Sequence, residues 1–177
     1  MQHADHVRLI RDAVAAGTTW LELGSGEGAF TLALAELVGP AGWIVSVDRD
    51  AEALARQARA LDERYPGVPV TQLLRDFQTP LDVEPVDGLL MANSLHFIAE
   101  PLALVTALAR HVQPGGRFVL VEYDAERGNP WVPHPVSFRA FTGLAAAAGL
   151  GAPRLIGREP SRFLGSIYAA VAQVPAA

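Results

Sequence analysis

The sequence predicts an α/β fold built on a parallel sheet, and three observations carry that prediction. From Thr18 to Glu122, short apolar runs alternate with Ala/Leu-rich runs of helical period. Such alternation lays helices over parallel strands through right-handed crossovers. The stretch Trp20-Leu21-Glu22-Leu23-Gly24-Ser25-Gly26-Glu27-Gly28-Ala29-Phe30 passes from an apolar run, through three alternating glycines, into a helical run. It reads as strand, tight turn and helix, with the unpaired amides and positive dipole end of the helix beside the turn. The next apolar run, residues 43–47, stops at Asp48. That is about 20 residues past the last glycine, where a doubly wound sheet places a carboxylate for ribose hydroxyls.

Taken in order, residues 5–16 carry apolar side chains at Val7, Leu9, Ile10, Ala13 and Val14, a helical period with Asp5 as N-cap and Gly17 as stop. Residues 18–23 form the first strand and 29–38 the helix after the glycines, closed by Gly39-Pro40. Residues 43–47 are the second strand. Residues 50–64 are a helix capped by Asp50 and ended before Pro66. The third and fourth strands fall at 68–74 and 86–91, joined by a turn-rich crossover with at most one weak helical turn. A helix at 101–111, a Gln113-Pro114-Gly115-Gly116 turn and a strand at 117–122 follow. The period then breaks into a long loop over 123–134. A helix at 136–148 and two strands, at 154–158 and 163–172, complete the reading.

At 177 residues, half of them hydrophobic and 19% charged, the chain fits one globular domain, 1–177, with a short N-terminal helix. No apolar run is long enough for a membrane span, and no secretory signal is visible, so the expected location is cytoplasmic. There is no cysteine, hence no disulfide framework or thiolate chemistry. The net charge of −5, with every cationic side chain an arginine and those scattered, disfavours a nucleic-acid partner.

The glycine spacing is G-x-G-x-G with Glu22 before it, not the G-x-G-x-x-G of dinucleotide binders. With Asp48 after it, this resembles motif I of the class I S-adenosylmethionine-dependent methyltransferases. The resemblance runs on through Arg75-Asp76-Phe77, through Met91-Ala92-Asn93-Ser94-Leu95-His96-Phe97 at the motif IV position, and through the partial match at residues 111–117. It implies a Rossmann-like seven-stranded sheet flanked by helices, order 3-2-1-4-5-7-6, with an antiparallel C-terminal hairpin. It also implies S-adenosylmethionine as cofactor and S-adenosylhomocysteine as product. Gly24, Ser25, Gly26 and Gly28 would admit the methionine part. Glu22 would bind its ammonium or else the amides of the turn. Asp48 and Arg49 fall at the ribose. Asp76, as adenine partner or as a turn residue, and Phe77 fall at the adenine, and Asn93 at the transfer centre.

Methyl transfer is an in-line displacement that needs a base only when the acceptor must lose a proton. His96 is the first candidate, either as that base or packed beneath the cofactor. His134, Glu122 and Asp124 are further candidates. Trp131 would wall the acceptor site, shelter the sulfonium or pin the loop, and Tyr123 is a second substrate-binding candidate. Ser161-Arg162-Phe163 is a weaker acceptor-side stretch. Asn93-Ser94-Leu95-His96 lacks the N/D-P-P-Y/F/W pattern of exocyclic-amine enzymes. Asp87 and Asn93 do not reproduce a catechol-type metal set, so no metal is expected. The expected acceptor is a small molecule, in an open site or one closed by a second copy as a homodimer. The alternatives are a protein or RNA acceptor, a silent binding or partner domain, and a nucleotide-dependent oxidoreductase.

Overall fold

Seven strands form one sheet in the order β3-β2-β1-β4-β5-β7-β6. The computed structural model describes residues 1–161 and 163–176, so the reading of Arg162 lies outside the described residues. The strands are β1 (Thr19–Leu23), β2 (Trp43–Asp48), β3 (Val70–Leu74), β4 (Val86–Ala92), β5 (Val112–Tyr123), β6 (Arg154–Ser161) and β7 (Gly165–Gln173). The first five pair in parallel, and β7 runs antiparallel to both β5 and β6. The predicted topology and the C-terminal hairpin are both present.

The helices are α1 (His3–Ile10), α2 (Ala29–Val38), α3 (Ala51–Arg64), α4 (Leu102–Ala109) and α5 (Phe138–Ala147). Two apolar layers sandwich the sheet. On one face Leu9, Ile10, Phe30, Leu34 and Leu61 of α1, α2 and α3 pack on Trp20, Ile44, Leu90 and Val119. On the other, Val105, Leu108, Phe141 and Ala145 of α4 and α5 pack on Leu21, Val45, Leu89, Met91 and Phe118. The central strands are therefore buried on both sides, which is why they read as continuous apolar runs rather than alternating ones.

The structure refines several local expectations. Helix α1 ends at Ile10 instead of running to Ala16. Its cap is Gln2, whose N–H donates to the Asp5 carboxylate at 2.7 Å, so Asp5 is the third-position partner of a capping pair rather than the cap. The β3–β4 crossover, residues 75–85, holds no helical turn. The Gln113–Gly116 stretch is absorbed into β5, and a short 3-10 turn, Leu95–Phe97, follows β4. The cap at Asp50 is as expected, its side chain accepting from Glu52 and Ala53 N–H.

Candidate functional site

The glycine turn lies at the carboxyl ends of β1 and β2 and is held from two sides. Gly24 and Ser25 N–H both donate to the Val47 carbonyl, and Gly28 N–H donates to the Ser25 carbonyl. Asp48 Oδ2 accepts from Gly26 N–H at 2.7 Å, and Oδ1 accepts from Asp50 N–H at 2.9 Å. The turn amides are thus mostly engaged. Across residues 24–32, the N–H groups without a partner among the described residues are those of Glu27, Ala29, Phe30 and Thr31. Gly24 and Gly28 have φ of 73° and 91°, a region only glycine enters without strain. A Cβ on Gly24 would lie 2.5 Å from Ser94 Cβ, and one on Gly28 would lie 2.6 Å from Gln57 Cγ.

Beneath the turn is a buried polar network. Thr31 Oγ1 donates to Glu22 Oε2 at 2.5 Å. Gln57 Nε2 donates to Ser25 Oγ, to the Gly26 carbonyl and to Thr31 Oγ1. Ser46 Oγ donates to Gln57 Oε1 and lies 2.7 Å from Ser25 Oγ, and Gln72 Nε2 also donates to Gln57 Oε1. Glu22 is 1% exposed. Burial, with Asp48 adding to it, pushes its carboxyl up to about 8 against the Thr31 hydrogen bond. Two expectations change here. Glu22 bonds neither the turn amides nor open space, because Thr31 of α2 reaches it first. The Ser25 hydroxyl faces this network and not the cleft.

Above the turn is a crevice of about 210 Å³ lined by Gly24, Asp48, Arg49, Asp76, Phe77, Asn93 and Phe97, among others. Six of the residues expected at the cofactor are thus brought together. Asp76 does two things: its Oδ1 accepts from Gln78 N–H within its own turn, and its Oδ2 lies 4.0 Å from Arg49 Nη1. Asn93 has a φ of 52°, alone among the described non-glycine residues in that region. Its Oδ1 is buried without a hydrogen-bond partner, an uncommon condition that marks a place for a donor.

The acceptor-side residues divide differently. His96 is 3% exposed and lines neither this crevice nor the cleft beside it. Its Nδ1 lies 2.8 Å from Glu122 Oε2, while Glu122 Oε1 accepts from Leu95 and His96 N–H. The pair ties the turn after β4 to the end of β5. His134 is exposed; its backbone N–H donates to the His96 carbonyl. Asp124 Oδ1 caps Phe138 N–H, and its Oδ2 pairs with Arg158 at 2.6 Å. Trp131 is 68% exposed and meets Phe163 edge-on at 6.0 Å. Tyr123 lies 5.7 Å from Phe163 and lines a second cleft, which also takes in Asn93.

A family model described as a methyltransferase domain matches residues 21–120. The chain belongs to the class I S-adenosylmethionine-dependent methyltransferases. S-adenosylmethionine is the cofactor that goes with this membership. The chain is 36% identical over 105 residues to a protein-L-isoaspartate O-methyltransferase of Methanothrix thermoacetophila, covering 59% of this chain and 47% of that one. It is 34% identical over 109 residues to an uncharacterized 37.1 kDa protein from a Streptomyces fradiae transposon, covering 61% and 31% respectively. The chain therefore spans less than half the length of these curated relatives. Among solved structures, it resembles an S-adenosylmethionine-dependent methyltransferase from Aquifex aeolicus, with a TM-score of 0.72 at 21% identity over 96% of this chain and 89% of that one.

The crevice of this methyltransferase fits its cofactor. Gly24 leaves space beside Phe77 that a side chain would fill, and the orphaned Asn93 oxygen needs a donor such as an ammonium or hydroxyl. Sequence reasoning missed Gln57, a polar residue in a helix rich in them, and His6, on a helix read only for its packing. For Gln57 a signal existed, since it opposes the glycines from the next helix. For His6 there was none.

Proposed function

We propose that the chain, acting as one unit over 1–177, transfers the methyl group of S-adenosylmethionine to a small-molecule acceptor. The observation that supports this most is that the cofactor crevice and a larger open cleft meet at one residue, Asn93. S-adenosylmethionine supplies a methyl carbon already activated by its sulfonium, so alignment is the protein's main task. In this reading Gly24, Gly26 and Gly28 keep the backbone bare beside the methionine part. Asp48, whose oxygens each retain a lone pair beyond their bonds to Gly26 and Asp50, takes the ribose hydroxyls, with Arg49 next to it. Asp76 and Phe77 hold the adenine, and Asn93 offers its unpaired oxygen near the transfer centre. Glu22 and Ser25 act from beneath, by fixing the turn. His96, with Glu122, holds the Asn93 turn in place.

Calorimetry with S-adenosylmethionine, S-adenosylhomocysteine and NAD tests the cofactor. Tight binding of the first two and none of the third is expected, and NAD binding alone would sink the proposal. A metabolite extract incubated with labelled S-adenosylmethionine then reads out the acceptor by mass spectrometry. A second reading, a protein carboxylate as acceptor, is favoured by the isoaspartate-methyltransferase relative. An isoaspartyl peptide in the same assay decides between them.

A further inference from the structure

The cleft next to the cofactor crevice holds about 730 Å³, within the size range of small-molecule sites. Met1, Gln2, Asp5 and His6 of the α1 region form one wall. Pro160, Ser161, Phe163 and Ile167 of the β6–β7 hairpin form the other, with Tyr123 and Asn93 between them. Three side chains on these walls titrate, and two are already committed. The Asp5 carboxylate accepts from Gln2 N–H and from Arg8. Burial, followed by the Glu122 charge, raises Tyr123 above the ordinary phenol value, so its hydroxyl keeps its proton.

His6 is the exception. The rings of His3, His96 and His111 bond to Glu36, Glu122 and the Val83 carbonyl, and His134 is not among the residues that line the cleft. The His6 ring has no hydrogen-bond partner among the described residues and rests 4.7 Å from the Phe30 ring. Burial, followed by the charges of the amino terminus and His3, holds its imidazole below the ordinary value against a smaller opposing effect of Asp5. It is therefore neutral near pH 7 and free to accept a proton. The cleft's chemistry also limits its ligand. Tyr123 and Phe163 present tilted rings 5.7 Å apart, an arrangement that suits the edge or face of another ring. Among the described lining groups the Asp5 carboxylate is set against the Met1 amino terminus, so they present no net charge to a ligand.

We propose that this cleft is the acceptor site, that its acceptor is a neutral aromatic ring bearing a hydroxyl, and that His6 is the base. The inference rests on the methyl-transfer reading above. The hydroxyl proton passes to a His6 ring nitrogen. The oxygen's electron pair forms the new bond to the methyl carbon as the carbon–sulfur bond breaks, its pair going to sulfur. A methyl ether and S-adenosylhomocysteine result, and the imidazolium returns its proton to water.

The test uses the whole chain with labelled histidine, saturated with S-adenosylhomocysteine, and follows the imidazole resonances by NMR as phenol is added. The His6 signals are assigned by their loss in His6→Gln. They are expected to move with phenol and to saturate, and to stay still with benzoate. His6→Gln is expected to lower methyl transfer to phenol by about 10²–10⁴-fold, with S-adenosylhomocysteine affinity unchanged. Failure of S-adenosylhomocysteine to bind would defeat the methyl-transfer reading itself. If it binds, His6 signals unmoved by phenol, or moved preferentially by benzoate, overturn this inference alone. So does undiminished transfer by His6→Gln, or no transfer to phenol by the unsubstituted chain.

Discussion

Glu22→Gln should make the chain more stable, by an amount that grows with pH. Glu22 lies wholly inside the protein, and its carboxyl is pushed from an ordinary 4.5 to about 8. Between those two values the folded chain keeps a proton that the unfolded chain has released. The stabilisation is therefore present in full below pH 4.5 and is lost as pH rises through about 8. Each pH unit inside that window costs about 1.4 kcal/mol. The loss is then about 3 kcal/mol at pH 7 and levels off at about 4–5 kcal/mol above pH 8. Glutamine has the same shape and keeps an oxygen for the Thr31 hydroxyl, but has nothing to ionise. Urea unfolding of both chains from pH 5 to pH 8.5 checks this, because contributions from all other groups cancel in the difference. The two stability curves should diverge steadily with pH, the glutamine variant ahead. Parallel curves would show that Glu22 ionises in the folded chain as easily as in the unfolded one, and the burial argument would fail.

Other substitutions probe the turn and the sheet. Asp48→Ala should weaken S-adenosylmethionine binding by about 1–3 kcal/mol in calorimetry, the scale of a lost charged hydrogen bond, and free the Gly26 amide it now accepts from. Gly88→Ala would set a Cβ 2.6 Å from the ring of the buried Trp20. Overpacking of that kind should lower stability by about 1–3 kcal/mol in thermal or urea unfolding. Glu122→Ala removes the acceptor for Leu95 N–H, His96 N–H and His96 Nδ1. At about 1–3 kcal/mol for each buried group left unpaired, it should be the most damaging of these, seen as a lower unfolding midpoint and faster hydrogen exchange at residues 94–97.

The framework was legible because its signals are local and repeated. Apolar runs of strand length, glycines at a strand–helix junction and Asp50 ahead of a helix each have one physical reading, and each is found. The boundaries that moved depend on competition between neighbours. Asp5 and Gln2 stand three residues apart, and which of them caps α1 is settled by the fit of that helix against α2 and the hairpin. The Leu95–Phe97 turn is too short to show a period. Asp48 was singled out by its spacing from the glycines, and Asp76, Phe77 and Asn93 by the family resemblance; the four line one crevice. Glu22 was misjudged because its partner, Thr31, belongs to the following helix and looks in sequence like any other helix residue. His6 and Tyr123 line one cleft that exists only once the C-terminal hairpin has folded back onto α1, and no pattern within either segment announces it.

Gln57 donates to three groups and accepts from two, all within the layer under the glycines. Such a side chain has no single-step substitute. Glutamate cannot donate, leucine takes one partner from each of five polar neighbours, and asparagine is shorter by one methylene. Drying out this layer would take replacements at Glu22, Ser25, Thr31, Ser46, Gln57 and Gln72 together, since partial replacement leaves buried groups short of partners. Evolutionary drift and protein engineering thus meet the same barrier here: the layer can be inherited or rebuilt whole, but not traded away one residue at a time.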